Sequence, residues 1–481
     1  MSRELLAKRI GLVAVSNLLL VLNSIILLPV LTKYLSVSEY GIWVQILVTV
    51  DLIPAIALFG LPHSLVRFLA PAKDKGEIRE IFYPIAIIVF LIALFVSAMI
   101  FLISMPLASA LFDGNASVVR LLSIIVFIEC LNNITLNYLR ASQQIKKYVA
   151  LSSFRISLQI LLVTYLVISG HGIYGAMLGL LIAATSYLLV TAAVIVHAIG
   201  ITLSGFKNIR KFLAFGMPTV PGNLSSWIVS SSDRYIIGIM LGTAAVGYYT
   251  PGYTLGYMTI SLFIAPFSFL LPAALSKHYD KREMDEVKLI MKYSLRYFLL
   301  LAIPSVLGLS LLSKQFLTTV ATQDISVNSY LITPFSALSA LFLGAYTVVS
   351  QAIVLEKRMK IIGSIWILAA ILNVSSNLIL VPRLGIIGAA ITTLTAYVFA
   401  FAVAAHYSNR FLKMGFDLNF IIKSILASIP MSIFVVWINP EGIIRQMIIA
   451  FLGAFIYFSA LILLRGMRKE ELRFFKKTFE L

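Results

Sequence analysis

Charge is scarce in this chain. Among 481 residues there are 20 Asp and Glu and 38 Lys and Arg, so charged side chains make up 12%, where a soluble domain carries about 25%. Cysteine is nearly absent. Cys130 stands alone within an apolar run, which excludes an intrachain disulfide and a cysteine-rich metal centre. His63 and His171 are expected near the membrane surfaces, and neither has ligand spacing for a metal. The phosphate-cradling Gly-x-x-x-x-Gly-Lys-Ser/Thr loop is missing, and so is the zinc-protease His-Glu-x-x-His. No polar stretch is long enough for a separate globular domain. These absences point away from an enzyme and imply neither cofactor nor metal.

What is abundant is apolar: 60% of residues are hydrophobic and the mean hydropathy is +0.98. The apolar residues come in long runs divided by short connectors, and a helix needs about 20 of them to cross a hydrocarbon core. Fourteen spans are predicted, near 10–31, 41–62, 81–103, 118–139, 149–169, 173–199, 212–240, 247–274, 293–313, 327–352, 361–381, 385–406, 420–438 and 443–464. The apolar stretch after Arg3, Lys8 and Arg9 is too long for a signal-peptide core and reads as a first helix.

Positive charge orients the spans, because Lys and Arg stay on the cytoplasmic side. They gather at every second connector, as at Lys73 to Arg79, Lys146-Lys147, Lys207 to Lys211, Lys277 to Lys292 and Lys357 to Lys360, and in the tail. The opposite connectors receive only Lys33, Lys314, Arg383 and Arg445. Both termini are therefore expected in the cytoplasm of a multi-pass plasma-membrane protein. The net charge of +18 is spread among short clusters, which fits topology and anionic headgroups and excludes a nucleic-acid face.

A repeat divides the chain further. Leu35-Ser-Val-Ser-Glu-Tyr-Gly41 matches Leu241-Gly-Thr-Ala-Ala-Val-Gly247, Asn17 falls over Asn223, and Gly172-Ile-Tyr-Gly175-Ala176 matches Gly385-Ile-Ile-Gly388-Ala389. The matches recur after six spans, an even number, so both copies point the same way. The expected fold is an all-α integral membrane protein with two pseudosymmetric six-helix lobes, 1–206 and 207–412. A terminal helix pair with a basic tail, 413–481, completes it.

Several segments resemble the polysaccharide flippases of the multidrug/oligosaccharidyl-lipid/polysaccharide exporter superfamily. They are Leu28-Pro29 through Ser36 with Glu39-Tyr40-Gly41, Gly60-Leu-Pro-His-Ser-Leu-Val-Arg67, Phe215-Gly216-Met-Pro218, Asp233-Arg234, and Leu241-Gly242 with Val246-Gly247-Tyr248. The resemblance implies V-shaped lobes around a central cavity, moving polyprenyl- or dolichyl-linked glycans outward. It further implies a lipid-linked glycan as substrate and the bilayer as surroundings, with glycosyltransferases or a polymerase of the same pathway as partners. Two pseudosymmetric lobes can form a complete pathway in one chain, so a monomer is expected to suffice. A cation-coupled drug or small-molecule exporter of the same superfamily would favour an acidic, aromatic cavity with few arginines. A membrane-embedded polysaccharide polymerase or ligase would need a large polar outside loop, and the outside connectors here are short.

Ionisable residues inside spans are costly and usually face a cavity or a partner. Asn223, Ser226, Ser230 and Arg234 recur at helical spacing as one polar stripe flanked by Asp233. The Arg234 guanidinium could fork onto phosphate oxygens; the plainer alternative is a local Asp–Arg arrangement with interhelical hydrogen bonds. Arg67 and Arg155, like Arg296, stand near the cytoplasmic ends of their spans, where a pyrophosphate would first meet charge; snorkelling to lipid phosphates is the alternative. The expected substrate-binding residues are thus Arg67, Arg155, Arg234, Asn223 and Ser230. Glu129 lies at mid-span, with Asn133 and Asn137 at successive turns, and Asp51 precedes Pro54 at similar depth. Asp51, Glu129 and Asp233 are the candidate ion-coupling carboxylates. The alternative for Asp51 and Glu129 is structural pairing with Arg120 or Arg155. Asn373 and Asn377 read as helix glue, and Asn115-Ala-Ser117 as a glycosylation acceptor triplet.

Overall fold

The computed structural model describes residues 23, 26–72, 74–202, 205–206, 208–412, 415 and 417–466. Most of the expected first span, Asn17, Ser24, the basic N-terminal residues and the tail beyond 466 lie outside them. Among the described residues there are helices and no strands. Among the described residues eleven helices are long and apolar enough to cross a membrane, and the protein is a multi-pass, all-helical membrane protein.

The described residues fall into two compact units. The first reaches Tyr248 and also takes in Asn377–Gly385. It contains α1 (residues 26–34), α2 (Val37–Ala57), α3 (Leu61–Leu69), α4 (Lys75–Leu102), α5 (Ser104–Leu111) and α6 (Ala116–Ala141). There follow α7 (Ile145–Leu166), α8 (Gly172–Ile199), α9 (Ile209–Gly216), α10 (Val220–Leu241) and the start of α11 (Thr243–Asp280). The second unit holds the rest of α11, then α12 (Met284–Val320), α13 (Gln323–Ser329), α14 (Ile332–Val349) and α15 (Gln351–Leu355). It continues with most of α16 (Met359–Leu384), α17 (Ile386–Phe411), α18 (Leu418–Ile438) and α19 (Ile443–Leu463).

Local chemistry sets the breaks. Ser36 and Glu39 form a reciprocal capping box that starts α2. Gly60, at φ 70°, ends the first turn sequence after Pro54 and starts α3. Asp74, Asn115, Thr322 and Asp417 cap α4, α6, α13 and α18 with side-chain oxygens. The apolar run Ile145–Ile199 is interrupted by a π turn in which Gly170 has φ 86°, where the sequence separates spans 149–169 and 173–199. The predicted span 212–240 is divided as well, by a 3-10 turn at Met217–Thr219. Asn115 is both the cap of α6 and the acceptor for the Tyr174 hydroxyl at 3.0 Å, which occupies the amide oxygen of the expected glycosylation triplet.

Glycines bring helices to backbone contact. A Cβ on Gly41 would overlap the Thr243 carbonyl, and one on Gly247 would overlap the Val37 carbonyl. Gly41 and Gly247 are the paired glycines of the repeat, and their contact is reciprocal. Gly60 and Gly216 likewise meet backbone to backbone, so that either Cβ would strike the other's carbonyl. Two motifs separated by more than a hundred residues are therefore one packing contact.

In the second unit the terminal pair docks on α12. Ser424 and Tyr457 join α18 to α19 at 2.7 Å, and the Tyr457 hydroxyl donates to the Leu300 carbonyl at 3.0 Å. The buried Arg296 guanidinium donates to Asp417 at 2.6 Å and to the Gly466 carbonyl at 2.7 Å, and lies over the Phe420 ring. Arg296 therefore anchors helices, where the sequence also allowed a phosphate contact.

Candidate functional site

The first unit concentrates ionisable groups at depth. On α6, Glu129 is buried and its carboxylate accepts from Arg155 of α7 at 2.5 Å. Asn132, one turn along the same face, donates to Glu129 at 3.4 Å and to the Ala184 carbonyl of α8 at 3.1 Å. The Arg155 guanidinium lies 5.6 Å from the centroid of the Tyr187 ring on α8. Asp51, exposed on α2, stands within the electrostatic field of both Glu129 and Arg155. Asp51 thus adds a second carboxylate beside the Glu129–Arg155 pair, and the group as ionised carries one negative charge in excess. The Tyr187 hydroxyl and the Asn132 amide oxygen are buried here with no hydrogen-bond partner, which leaves a donor and an acceptor available in the same neighbourhood.

A second group lies on α10. Asp233 and Arg234 are both buried, and the guanidinium donates to Asp233 and to the Ser230 carbonyl, each at 2.7 Å. Tyr40 of α2 feels the Arg234 charge, and the Tyr235 hydroxyl pairs with Thr49 of α2 at 2.6 Å. The stripe predicted along this helix is present, but its hydroxyls turn partly inward: Ser226 donates to the Asn223 carbonyl and Ser230 to the Trp227 carbonyl. Asn223 sits at the other end, bonded to His63 of α3 at 3.0 Å. Eleven residues separate it from Arg234, which is about 16 Å of helix.

The expected residues therefore form three groups. Glu129 and Arg155, predicted for different roles, are one ion pair with Asp51 beside it. Asp233, Arg234 and Ser230 are another set, and Asn223 belongs with His63. Arg67 is exposed in the last turn of α3. Asn133 and Asn137 bond each other along α6. Sequence reasoning missed Asn132 and Tyr187. The spacing of Asn132, three residues after Glu129, was a usable signal; nothing in the sequence connects Tyr187 to Arg155. Among the described residues no group of His, Cys, Asp and Glu could hold a metal ion as a cluster.

Residues 6–278 match the family described as polysaccharide biosynthesis protein. The chain belongs to that family. It is 22% identical over 268 residues to the "Probable low-salt glycan biosynthesis flippase Agl15" of Haloferax volcanii, covering 55% of this chain and 56% of that one. To an uncharacterized membrane protein of Methanocaldococcus jannaschii it is 26% identical over 264 residues, covering 53% and 50%. The chain thus spans about half the length of the curated relatives it matches. Its fold is similar to that of the lipid II flippase MurJ in an inward closed conformation, with a TM-score of 0.77 at 16% identity over 94% of this chain and 98% of that one. It is also similar to an inward-facing multidrug MATE transporter, with a TM-score of 0.71 at 16% identity over 83% and 98%.

Proposed function

We propose that this protein flips a polyprenyl- or dolichyl-(pyro)phosphate-linked oligosaccharide across the cell membrane by alternating access of two six-span lobes, driven by ion exchange. Family membership and the flippase relative support the substrate class. The observation that carries the mechanism is the Asp51–Glu129–Arg155 group. A carboxylate in excess inside a membrane protein favours uptake of a proton or sodium ion. Neutralising Glu129 removes the anion that holds Arg155, and the guanidinium is then available to a phosphate oxygen. Ion binding and phosphate binding thereby become linked through one cation. Arg234, held by Asp233, offers the same exchange on α10, and exposed Arg67 requires no release.

The test is flipping of extracted lipid-linked oligosaccharide by purified protein in vesicles, with imposed proton or sodium gradients. The wild type should move the glycan and respond to one gradient. Glu129→Gln should flip without that response. No flipping by wild-type protein under either gradient would remove the transport reading.

A further inference from the structure

The second unit carries a feature that the charged groups do not use. Tyr249, Tyr253 and Tyr257 recur at every fourth residue of α11, with ring centroids 5.5 Å and 5.3 Å apart, the latter pair stacked at 18°. The series continues to Tyr397 of α17 at 6.5 Å, to Trp366 of α16 at 6.2 Å and to Tyr346 of α14 at 5.2 Å. Six rings from four helices form one unbroken run. Tyr249, Tyr253, Tyr346 and Tyr397 are buried, whereas Tyr257, which packs against the core of this unit, and Trp366 are half-buried.

Ordinary membrane chemistry does not account for this run. Aromatic belts sit at the two membrane–water boundaries. Here the tyrosines extend from about 9 Å to about 21 Å along α11 from its Thr243 end, into the middle of a span. Packing alone would be met by Leu or Val without a hydroxyl to satisfy. The column is also held in place: Gly252 and Gly256 let α11 meet Ser329, Thr333 and Ser336 at backbone distance, and Ser336 and Thr333 donate to the Gly252 carbonyl. The glycines one position before Tyr253 and Tyr257 thus fix the helix face that bears these rings.

We propose that this run is a saccharide-stacking track, with Tyr257 and Trp366 as the rings that meet the glycan. The proposal rests on the flippase reading and names what recognises its sugar. The C–H face of a pyranose packs on an aromatic face through ring contacts that need no hydroxyl. Neither a phosphate nor a polyprenyl tail needs such a surface. Rings repeated along the span offer an uncharged sugar similar contacts at successive depths.

The experiment uses the full-length protein and two probes: extracted lipid-linked oligosaccharide, and fluorescent polyprenyl phosphate bearing no sugar. Tyr257→Leu and Trp366→Leu should each weaken glycan binding in detergent by about five- to tenfold and slow its flipping similarly, the scale of one aromatic contact. Tyr257→Phe keeps the ring and should stay within about twofold of wild type. Trp366 fluorescence should change on adding the glycan and stay constant with the sugar-free lipid. Leu variants that bind glycan as tightly as wild type, or that lose both probes equally, would overturn the track. Wild-type protein that binds the glycan yet moves none overturns the transport reading alone, because the binding comparison still tests the rings. Wild-type protein that binds no glycan overturns both.

Discussion

The Glu129–Arg155 pair of the first unit and the Arg296–Asp417 pair of the second behave differently. Glu129–Arg155 in the first unit has a third charge, Asp51, beside it, a quarter-exposed guanidinium and orphaned polar atoms around it. Arg296–Asp417 in the second unit is saturated by the Gly466 carbonyl and the Phe420 ring. A pair with excess charge and open valences can change partners; a saturated pair can only hold helices together. The first unit concentrates charge beside its pair, whereas the second concentrates aromatic rings, which offer contact surface without titrating.

That comparison breaks most directly when each arginine is removed. Arg155→Ala should cost roughly 3–5 kcal/mol, since it strands the buried Glu129 carboxylate, and Arg296→Ala less, since Asp417 keeps partial access to water. Thermal unfolding in detergent measures this. Neutralising the stranded partner then separates the two. Arg155→Ala with Glu129→Gln should recover stability and still fail to flip glycan, whereas Arg296→Met with Asp417→Asn, which keeps the α18 cap, should recover both. Recovery of flipping in the first double variant would make that pair as structural as the second.

Asp51→Asn sharpens the role of the excess charge. It should slow gradient-driven flipping about tenfold, within the usual range of a coupling free energy, and leave the unfolding temperature within a degree or two of wild type. An unchanged response to the gradient would move coupling elsewhere.

Gly60→Ala asks whether close backbone packing supports the charged unit. A side chain there must adopt φ 70° and meet the Gly216 carbonyl, for a loss of about 1–3 kcal/mol. Gly216→Ala should cost a similar amount, and the double variant less than the sum, because both break one contact. The smallest expected effect is Asn115→Ala, about 1 kcal/mol from a lost helix cap, detectable as faster amide exchange at the start of α6.

Much of this was legible in the sequence. Runs without charge announced the spans, whereas the caps Ser36, Asp74 and Asp417 emerged with the helices themselves. Glu129 and Asp51 stood out because an ionisable residue in lipid is expensive. The repeat glycines Gly41 and Gly247 were visible as an aligned pair, but their mutual contact was not. Arg155 and Arg234 were legible as charges in spans, while the carboxylates they engage in this conformation were not uniquely assignable. The six-ring run was the least visible of all, since only the three tyrosines of α11 have a sequence period.

The sequence by itself determined what each helix is: apolar length, end caps and the Lys and Arg that mark its side, all of which depend on neighbours within a few residues. The tertiary structure alone decided which face of each helix meets which partner. That choice turned Glu129 and Arg155 into a pair, Gly60 and Gly216 into a contact and six rings into a run. The physical reason is that such contacts join residues tens to hundreds of positions apart, and only packing geometry selects among the many partners that composition allows.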